Sequence, residues 1–375
     1  MVNTEFFYNS LVKKGVDFYS GVPDSLLQDI CAFITDNAPK SNHIIAANEG
    51  NAIGLAAGYH MATGKIPMVY MQNSGLGNVV NPLLSLTDEK VYKIPLLLMI
   101  GWRGEPGVKD EPQHVTQGEL TLGLLETMKI PYKILSPEQA EAEEQINQII
   151  SEIESSGTPH ALIIRKGTFE KYSIKSPVKS NYEMTREQAI EIIVNELTDN
   201  DIIVSTTGKT SRELFEIREA KGQTHSADFL TVGSMGHASQ IALGIAIAKP
   251  QRTVLCIDGD GALLMHMGSL AINGAMKAEN VIHIVINNGA HESVGGQPTV
   301  GFNIDVPAIA KANGYSSAMS IETSEELQKV AKTIHNIKGP VLIEIKTKTG
   351  SRDDLGRPTI SPVDNKTDFM KNLQN

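Results

Sequence analysis

The chain has 375 residues, 20% of them charged, and a formal net charge of −10. That length accommodates two ordinary α/β domains with sizeable cores, and the acidic balance argues against a nucleic-acid surface. Its two cysteines, Cys31 and Cys256, stand far apart without Cys-x-x-Cys spacing, so neither a disulfide framework nor a zinc site is indicated. The N-terminus lacks a basic region followed by a long apolar run, and no apolar stretch reaches membrane-spanning length. A soluble, cytoplasmic protein without a membrane partner is expected.

Taken in chain order, residues 3–20 read as a helix with Phe6, Phe7, Leu11 and Val12 on one face, and a short strand follows at Phe18. Asp24-Ser25 then makes a plausible helix N-cap; the alternative is an acid facing a site. Ser41 to Ala47 reads as a strand ending at Asn48-Glu49-Gly50-Asn51, ahead of a helix rich in Ala and Gly. A Glu in a first helical turn is often no more than a favourable partner for the helix dipole. Pro67 to Met71 forms a strand that leads into a polar, glycine-containing loop with Asn73 and Ser74. A buried strand over Ile94 to Ile100 enters a long Gly/Pro-rich stretch through Gln117, which we expect to be an irregular binding loop. It carries Arg103, a candidate anion ligand, and His114, a candidate acid/base. Lys166 to Tyr182 reads as a linker, and Thr185 and Gln188 are spaced as a capping box for the next helix.

The second half opens with a strand, Asp201 to Ser205. Gly208, Lys209 and Thr210 follow it, an environment suited to an anion at a helix start. Next come Gly233, Ser234 and Met235 before another small-residue helix. The most informative stretch is the apolar strand Arg252 to Ile257 running into Gly259-Asp260-Gly261-Ala262. It is answered by the apolar strand Val281 to Ile286 running into Asn287-Asn288-Gly289-Ala290. Gly-Asp-Gly turns sharply without Cβ crowding, and an Asp and an Asn at two strand ends lie where α/β sheets bind ligands. Hard oxygen donors of this kind suit Mg²⁺ on a phosphate. Leu263 to Ala278 reads as one helix. His291 stands in the polar loop beyond, and Arg352 and Arg357, with Lys346 and Lys348, form a basic patch near the end.

Gly-Asp-Gly…Asn-Asn, with twenty-eight positions from Asp260 to Asn288, resembles the cofactor signature of thiamine diphosphate-dependent 2-oxo acid decarboxylases. Asn48-Glu49-Gly50-Asn51-Ala52 through Tyr59 is similar to the segment around that family's activating Glu, and Gly233-Ser234-Met235-Gly236 to the segment whose apolar side chain wedges between the cofactor rings. The resemblance covers nearly the whole chain. It implies two open, doubly wound α/β domains: a pyrimidine-binding domain over 1–175, a linker over 176–184 and a diphosphate-binding domain over 185–375, without a middle domain. Asp24-Ser25, Asp110 to His114, Asn287 to Ser293 and Ser351 to Pro358 are most similar to the compact phosphonopyruvate decarboxylase branch, with the sulfopyruvate decarboxylases close by.

By resemblance, then, the cofactors are thiamine diphosphate and Mg²⁺, and the reaction is decarboxylation of 3-phosphonopyruvate to phosphonoacetaldehyde and CO₂. Glu49 would activate the cofactor, and Asp260, Asn288 and the Ala290 carbonyl would hold the metal. His114, His291 and Asp24 are the acid/base candidates, and Arg103, Arg352 and Arg357 the phosphonate partners. The partners implied are a small anionic 2-oxo acid and further copies of the chain, in a homo-oligomer with active sites between subunits. Sulfopyruvate decarboxylation, a 2-oxo acid oxidoreductase and a non-catalytic thiamine diphosphate-binding regulator are the alternatives.

Overall fold

The computed structural model describes residues 1–374. These form two compact units: residues Met1–Pro177 with Ser293–Gln297, and residues Val178–Glu292 with the chain from Pro298 onward. The first unit holds six parallel strands, β1 (Tyr19–Gly21), β2 (His43–Ile45), β3 (Met68–Gln72), β4 (Leu97–Gly101), β5 (Tyr132–Ile134) and β6 (His160–Ile164), in the order β2-β1-β3-β4-β6-β5. The second holds β7 (Ile202–Ser205), β8 (Asp228–Leu230), β9 (Val254–Gly259), β10 (Val281–Asn287), β11 (Ser317–Ile321) and β12 (Val341–Lys346). Their order is β11-β12-β10-β9-β7-β8, the same topology when counted from its own first strand. In both units the chain leaves its first strand for one neighbour and returns on the other side. A switch point therefore opens between β1 and β3 and another between β7 and β9, and such points are where open α/β sheets bind ligands.

Period-two alternation distributes each strand's side chains between the two faces. In the first sheet Met68, Tyr70, Leu97, Met99, Leu162 and Ile164 enter one core, while Val69, Met71, Leu98, Ile100, Ala161 and Ile163 enter another. In the second, Leu255, Ile257, Ile282, Ile284, Ile343 and Ile345 share a core, and Val254 and Cys256 face the opposite side. Sheets covered on both faces read as continuous apolar runs, which is why β4, β9 and β10 are legible in the sequence.

Several elements differ from the sequence reading. The first helix spans Thr4–Lys13 only, because Lys14 and Gly15 end it, and Val12 is exposed. The Leu263–Ala278 stretch is two helices, Asp260–Met265 and Ser269–Met276. The first of them starts at Asp260 itself, so its register is fixed by the turn and not by the apolar pattern further along. The segment after β3 is helical, a 3₁₀ turn Asn73–Gly75 running into the helix Leu76–Pro82, and not a loop. The capping box at Thr185 and Gln188 is present, with both hydrogen bonds made. No helix among the described residues is long and apolar enough to cross a membrane.

Ile284 lies at the centre of β10 with almost no exposure. We predict that Ile284→Ala lowers the unfolding free energy by about 2–5 kcal/mol in urea titrations, whereas Val12→Ala on the exposed face stays within about 0.5 kcal/mol of the parent.

Candidate active site

In the first unit, Glu49 opens the helix Glu49–Thr63, whose cap Asn48 accepts the Asn51 amide through its side chain. The carboxylate is buried, and Asn78 Nδ2 donates to its Oε2 at 2.6 Å. It fits only because residue 75 is glycine: a Cβ there would stand 2.5 Å from Glu49 Oε1.

Asp24, just past β1, is fully buried. Gln72 Nε2 donates to it at 2.6 Å and the Leu26 amide at 2.9 Å, and Ser74 Oγ in turn donates to Gln72 Oε1 at 2.7 Å. Burial raises the Asp24 carboxyl above its ordinary range, and these donors, with nearby Arg103, offset that only in part. Asp24-Ser25 caps no helix; the next helix starts at Gln28, with Leu27 at the cap position and no side-chain cap.

Asn73 and Arg103 are both committed. Asn73 Nδ2 donates to the Arg103 carbonyl at 2.7 Å and to Thr121 Oγ1 at 2.9 Å, and its Oδ1 accepts the Arg103 amide at 3.2 Å. The Arg103 guanidinium forks onto Asp110 and donates to Ser25 Oγ at 2.8 Å. It is thus a compensated cation. The loop expected through Gln117 ends early, because the helix Pro112–Thr127 begins with a proline at its first position, where the missing N–H costs nothing. His114 lies in that first turn with its Nδ1 buried and without a hydrogen bond. Burial, then the charge of Arg103, push its pKa down to about 4.

The second unit gathers its polar groups at the carboxyl ends of β7, β9 and β10. Asp260 is the first residue of its helix and is buried. Thr299 Oγ1 makes a short hydrogen bond to its Oδ2, and the remaining donors are backbone amides, including those of Gly261 and Asn288. Burial raises its pKa to about 6, and these neutral donors offset that only in part. Asn287 is turned inward, donating to the Gly301 carbonyl at 2.9 Å and to Glu344 Oε1 at 2.8 Å. Asn288 donates to Glu292 at 2.8 Å, and its Oδ1 accepts the Ala290 amide at 3.0 Å. Gly301 is required by close approach, since a Cβ there would lie 2.6 Å from Asn287 Oδ1 and 2.8 Å from Asp260 Oδ2. Gly261, Met235 and the partly buried His291 also converge: a Cβ on Gly261 would sit 3.0 Å from His291 Cε1 and 3.4 Å from Met235 Cε. Burial pushes His291 down to about 4.

Ser234 adopts a left-handed φ of 54° beside Met235. At the end of β7, Gly208, with a φ of 97°, caps the helix Lys209–Ala220, Thr210 is buried, and the buried Thr206 hydroxyl has no hydrogen-bond partner. Lys209 Nζ donates to Glu292 at 3.1 Å and to Ser351 Oγ at 2.7 Å. The basic patch near the end is not an unbalanced one. Arg352 contacts Glu187, Glu216 and Asp354, and Lys346 pairs with Glu322; Arg357 is exposed. Among the described residues one further group of ligating side chains converges, Cys256, Asp258 and His283. It lies wholly inside β9 and β10, where burial drives the thiol well above its ordinary range, so it is polar core without a thiolate.

The residues missed from sequence are Glu292, Thr299, Asn78 and Asp110. Of these only Asp110 and Glu292 carried a signal, as acids within a few residues of a predicted ligand.

Two sheets of one topology, each with a cluster of buried polar groups at its strand ends, define a two-domain α/β protein of the kind that binds ligands at such ends. Residues 1–125 match the thiamine pyrophosphate enzyme N-terminal TPP binding domain, and residues 206–345 its C-terminal TPP binding domain. The chain is 32% identical to a phosphonopyruvate decarboxylase of Streptomyces viridochromogenes, over 97% of this chain and 93% of that protein. A sulfopyruvate decarboxylase of Methanosarcina acetivorans is 27% identical over 100% of this chain and 98% of its own length. The sulfopyruvate decarboxylase subunit beta of Methanocaldococcus jannaschii is 35% identical over 50% of this chain and 97% of that subunit. The chain belongs to the thiamine pyrophosphate enzyme family, as a carboxy-lyase with both cofactor-binding domains and no middle domain.

The Arg103–Asp110 pair predicts a pH effect. Burial raises Asp110, but the Arg103 fork and the Gly104 amide more than reverse this and hold it below the ordinary carboxylate range. A carboxyl lowered by folding contributes stability above its unfolded pKa and loses it as pH falls through the folded value. The stability gap between the parent and Asp110→Asn, followed by denaturant titration, should therefore be largest near neutral pH and shrink below about pH 4.

Proposed function

We propose that the protein decarboxylates 3-phosphonopyruvate to phosphonoacetaldehyde and CO₂, using thiamine diphosphate and Mg²⁺. The observation that carries the cofactor reading is Asp260, a buried carboxylate whose donors are all neutral. Burying a charge is costly without a counter-charge, and a divalent cation supplies one. Its neighbours fit the same ion, since the Asn288 side-chain oxygen and the Ala290 carbonyl are hard donors of the type Mg²⁺ takes. The unpartnered Thr206 hydroxyl beside the start of the helix Lys209–Ala220 fits a diphosphate oxygen.

In this reading Asp260, Asn288 and the Ala290 carbonyl hold the metal. Gly208, Lys209, Thr210, Gly233, Ser234, Gly259, Gly261 and Ala262 surround the diphosphate. Met235 would supply an apolar support for the rings, and Asn73 and Ser74 would lie on the aminopyrimidine side. Thiamine diphosphate, when bound, supplies the electron sink for the pair released as a 2-oxo acid loses CO₂. Glu49 would accept a hydrogen bond from the aminopyrimidine and exchange a proton with it. Asp24, raised by burial above the ordinary carboxylate range, is one acid/base candidate for the product's proton. His114 and His291, each lowered to about 4 by burial, are the other two candidates to donate it. Arg103, Arg352 and Arg357 are the guanidinium candidates for the phosphonate, whose tetrahedral oxygens match paired donors; Arg103 and Arg352 would first have to exchange the carboxylates they now hold, Asp110 for the one and Glu187 and Glu216 for the other. Residues 1–175 form the pyrimidine side, 176–184 the linker and 185–375 the diphosphate side. The functional form is a homo-oligomer, a reading supported by Leu55 and Met61 lying exposed on the Glu49–Thr63 helix.

Support for the substrate comes from likeness to the phosphonopyruvate decarboxylases over nearly the full chain. A sulfopyruvate decarboxylase matches over the whole chain at lower identity, so sulfopyruvate is the second reading, differing in one tetrahedral head group. Glu49→Gln tests the mechanism. Turnover should fall about 10²–10⁴-fold, the usual loss for a removed acid–base group, while calorimetric binding of thiamine diphosphate with Mg²⁺ persists. Turnover near the parent level would refute the assigned role.

A further inference from the structure

We infer that Glu292 is a positioning residue that fixes which way round the Asn288 amide sits, and so sets the affinity of the Asp260–Asn288 site for a divalent cation. This rests on the metal reading above and goes beyond it, because Glu292 itself is not a ligand there. Glu292 opens a 3₁₀ turn, Glu292–Val294, four residues past Asn288. Its Oε2 accepts Asn288 Nδ2 at 2.8 Å and Arg186 Nη1 at 3.0 Å, and its Oε1 accepts Lys209 Nζ at 3.1 Å.

An asparagine amide can sit either way round, one end donating and the other accepting. A carboxylate accepts only, so Asn288 must turn Nδ2 toward Glu292. That leaves Oδ1 on the other side, where it accepts the Ala290 amide at 3.0 Å and keeps a second lone pair for a hard cation. A flipped amide would present N–H to the ion and repel it.

The carboxylate is itself immobilised. Arg186 is buried and forks onto Glu213 at 2.6 and 2.7 Å, and Lys209 is also held by Ser351 Oγ at 2.7 Å. Two cations, Arg186 and Lys209, face two anions, Glu213 and Glu292. Glu292 thus orients the ligand without adding net charge to compete for the metal.

The test is Mg²⁺ titration calorimetry at saturating thiamine diphosphate, on the full-length protein. Loss of a partner that orients a metal ligand costs about 10–100-fold in metal affinity, and that weakening is expected for Glu292→Gln. At saturating Mg²⁺ its kcat should return to the parent value. The second variant pair guards against a merely structural effect. Asn288→Asp alone sets two carboxylates against each other and should bind Mg²⁺ poorly. Asn288→Asp with Glu292→Gln should recover affinity, because a carboxylate needs no orienting and the new amide can donate to it. Unchanged Mg²⁺ affinity in Glu292→Gln, or a double variant no tighter than Asn288→Asp, would overturn the inference, provided Asp260→Asn abolishes binding. If Asp260→Asn binds Mg²⁺ like the parent, the metal reading itself fails.

Discussion

A buried carboxylate without a counter-cation organises the second domain. Asp260 is covered by protein, satisfied by a threonine hydroxyl and backbone amides, and raised to about 6 by desolvation. The surrounding architecture follows from holding it there. Gly301 must lack a side chain to pass over it. Asn287 is anchored by Glu344 and the Gly301 carbonyl, so that Asn288 is presented at the strand end. A buried carboxylate ringed by neutral donors is the observation on which the proposed metal–diphosphate grip rests.

The first domain repeats the topology with different chemistry. Its polar cluster holds two buried acids. Glu49 lies at a helix start under Gly75, and Asp24 is locked by Gln72. In the proposed function one scaffold, present twice in the chain, separates two tasks, proton chemistry in one copy and charge neutralisation in the other. That division supports an enzyme over a passive cofactor binder, because binding alone makes no use of a buried acid beside an amide donor.

How much of this could be read from sequence depended on range. β9 and β10 were legible because strands covered on both faces are continuous apolar runs. The capping box at Thr185 was legible because both halves lie within one helical turn. Features set by distant partners were not. Arg352 read as a free cation, yet Glu216 and Glu187, more than a hundred residues away, pair with it. Arg103 read as an anion ligand, and Asp110, only seven positions on, compensates it through a loop geometry that no periodicity reveals. Pro112 read as a breaker where it begins a helix. Glu292 passed as one polar residue among several, since its importance comes from Arg186 and Lys209 meeting it in space.

The central claim is that this chain removes CO₂ from a 2-oxo acid bearing a tetrahedral anionic head group. The most direct measurement is CO₂ release from phosphonopyruvate, sulfopyruvate and pyruvate side by side, with thiamine diphosphate and Mg²⁺ present. Release from phosphonopyruvate is expected, faster than from the other two and abolished by chelating the metal. Preference for pyruvate, or no release from any of the three, would contradict it.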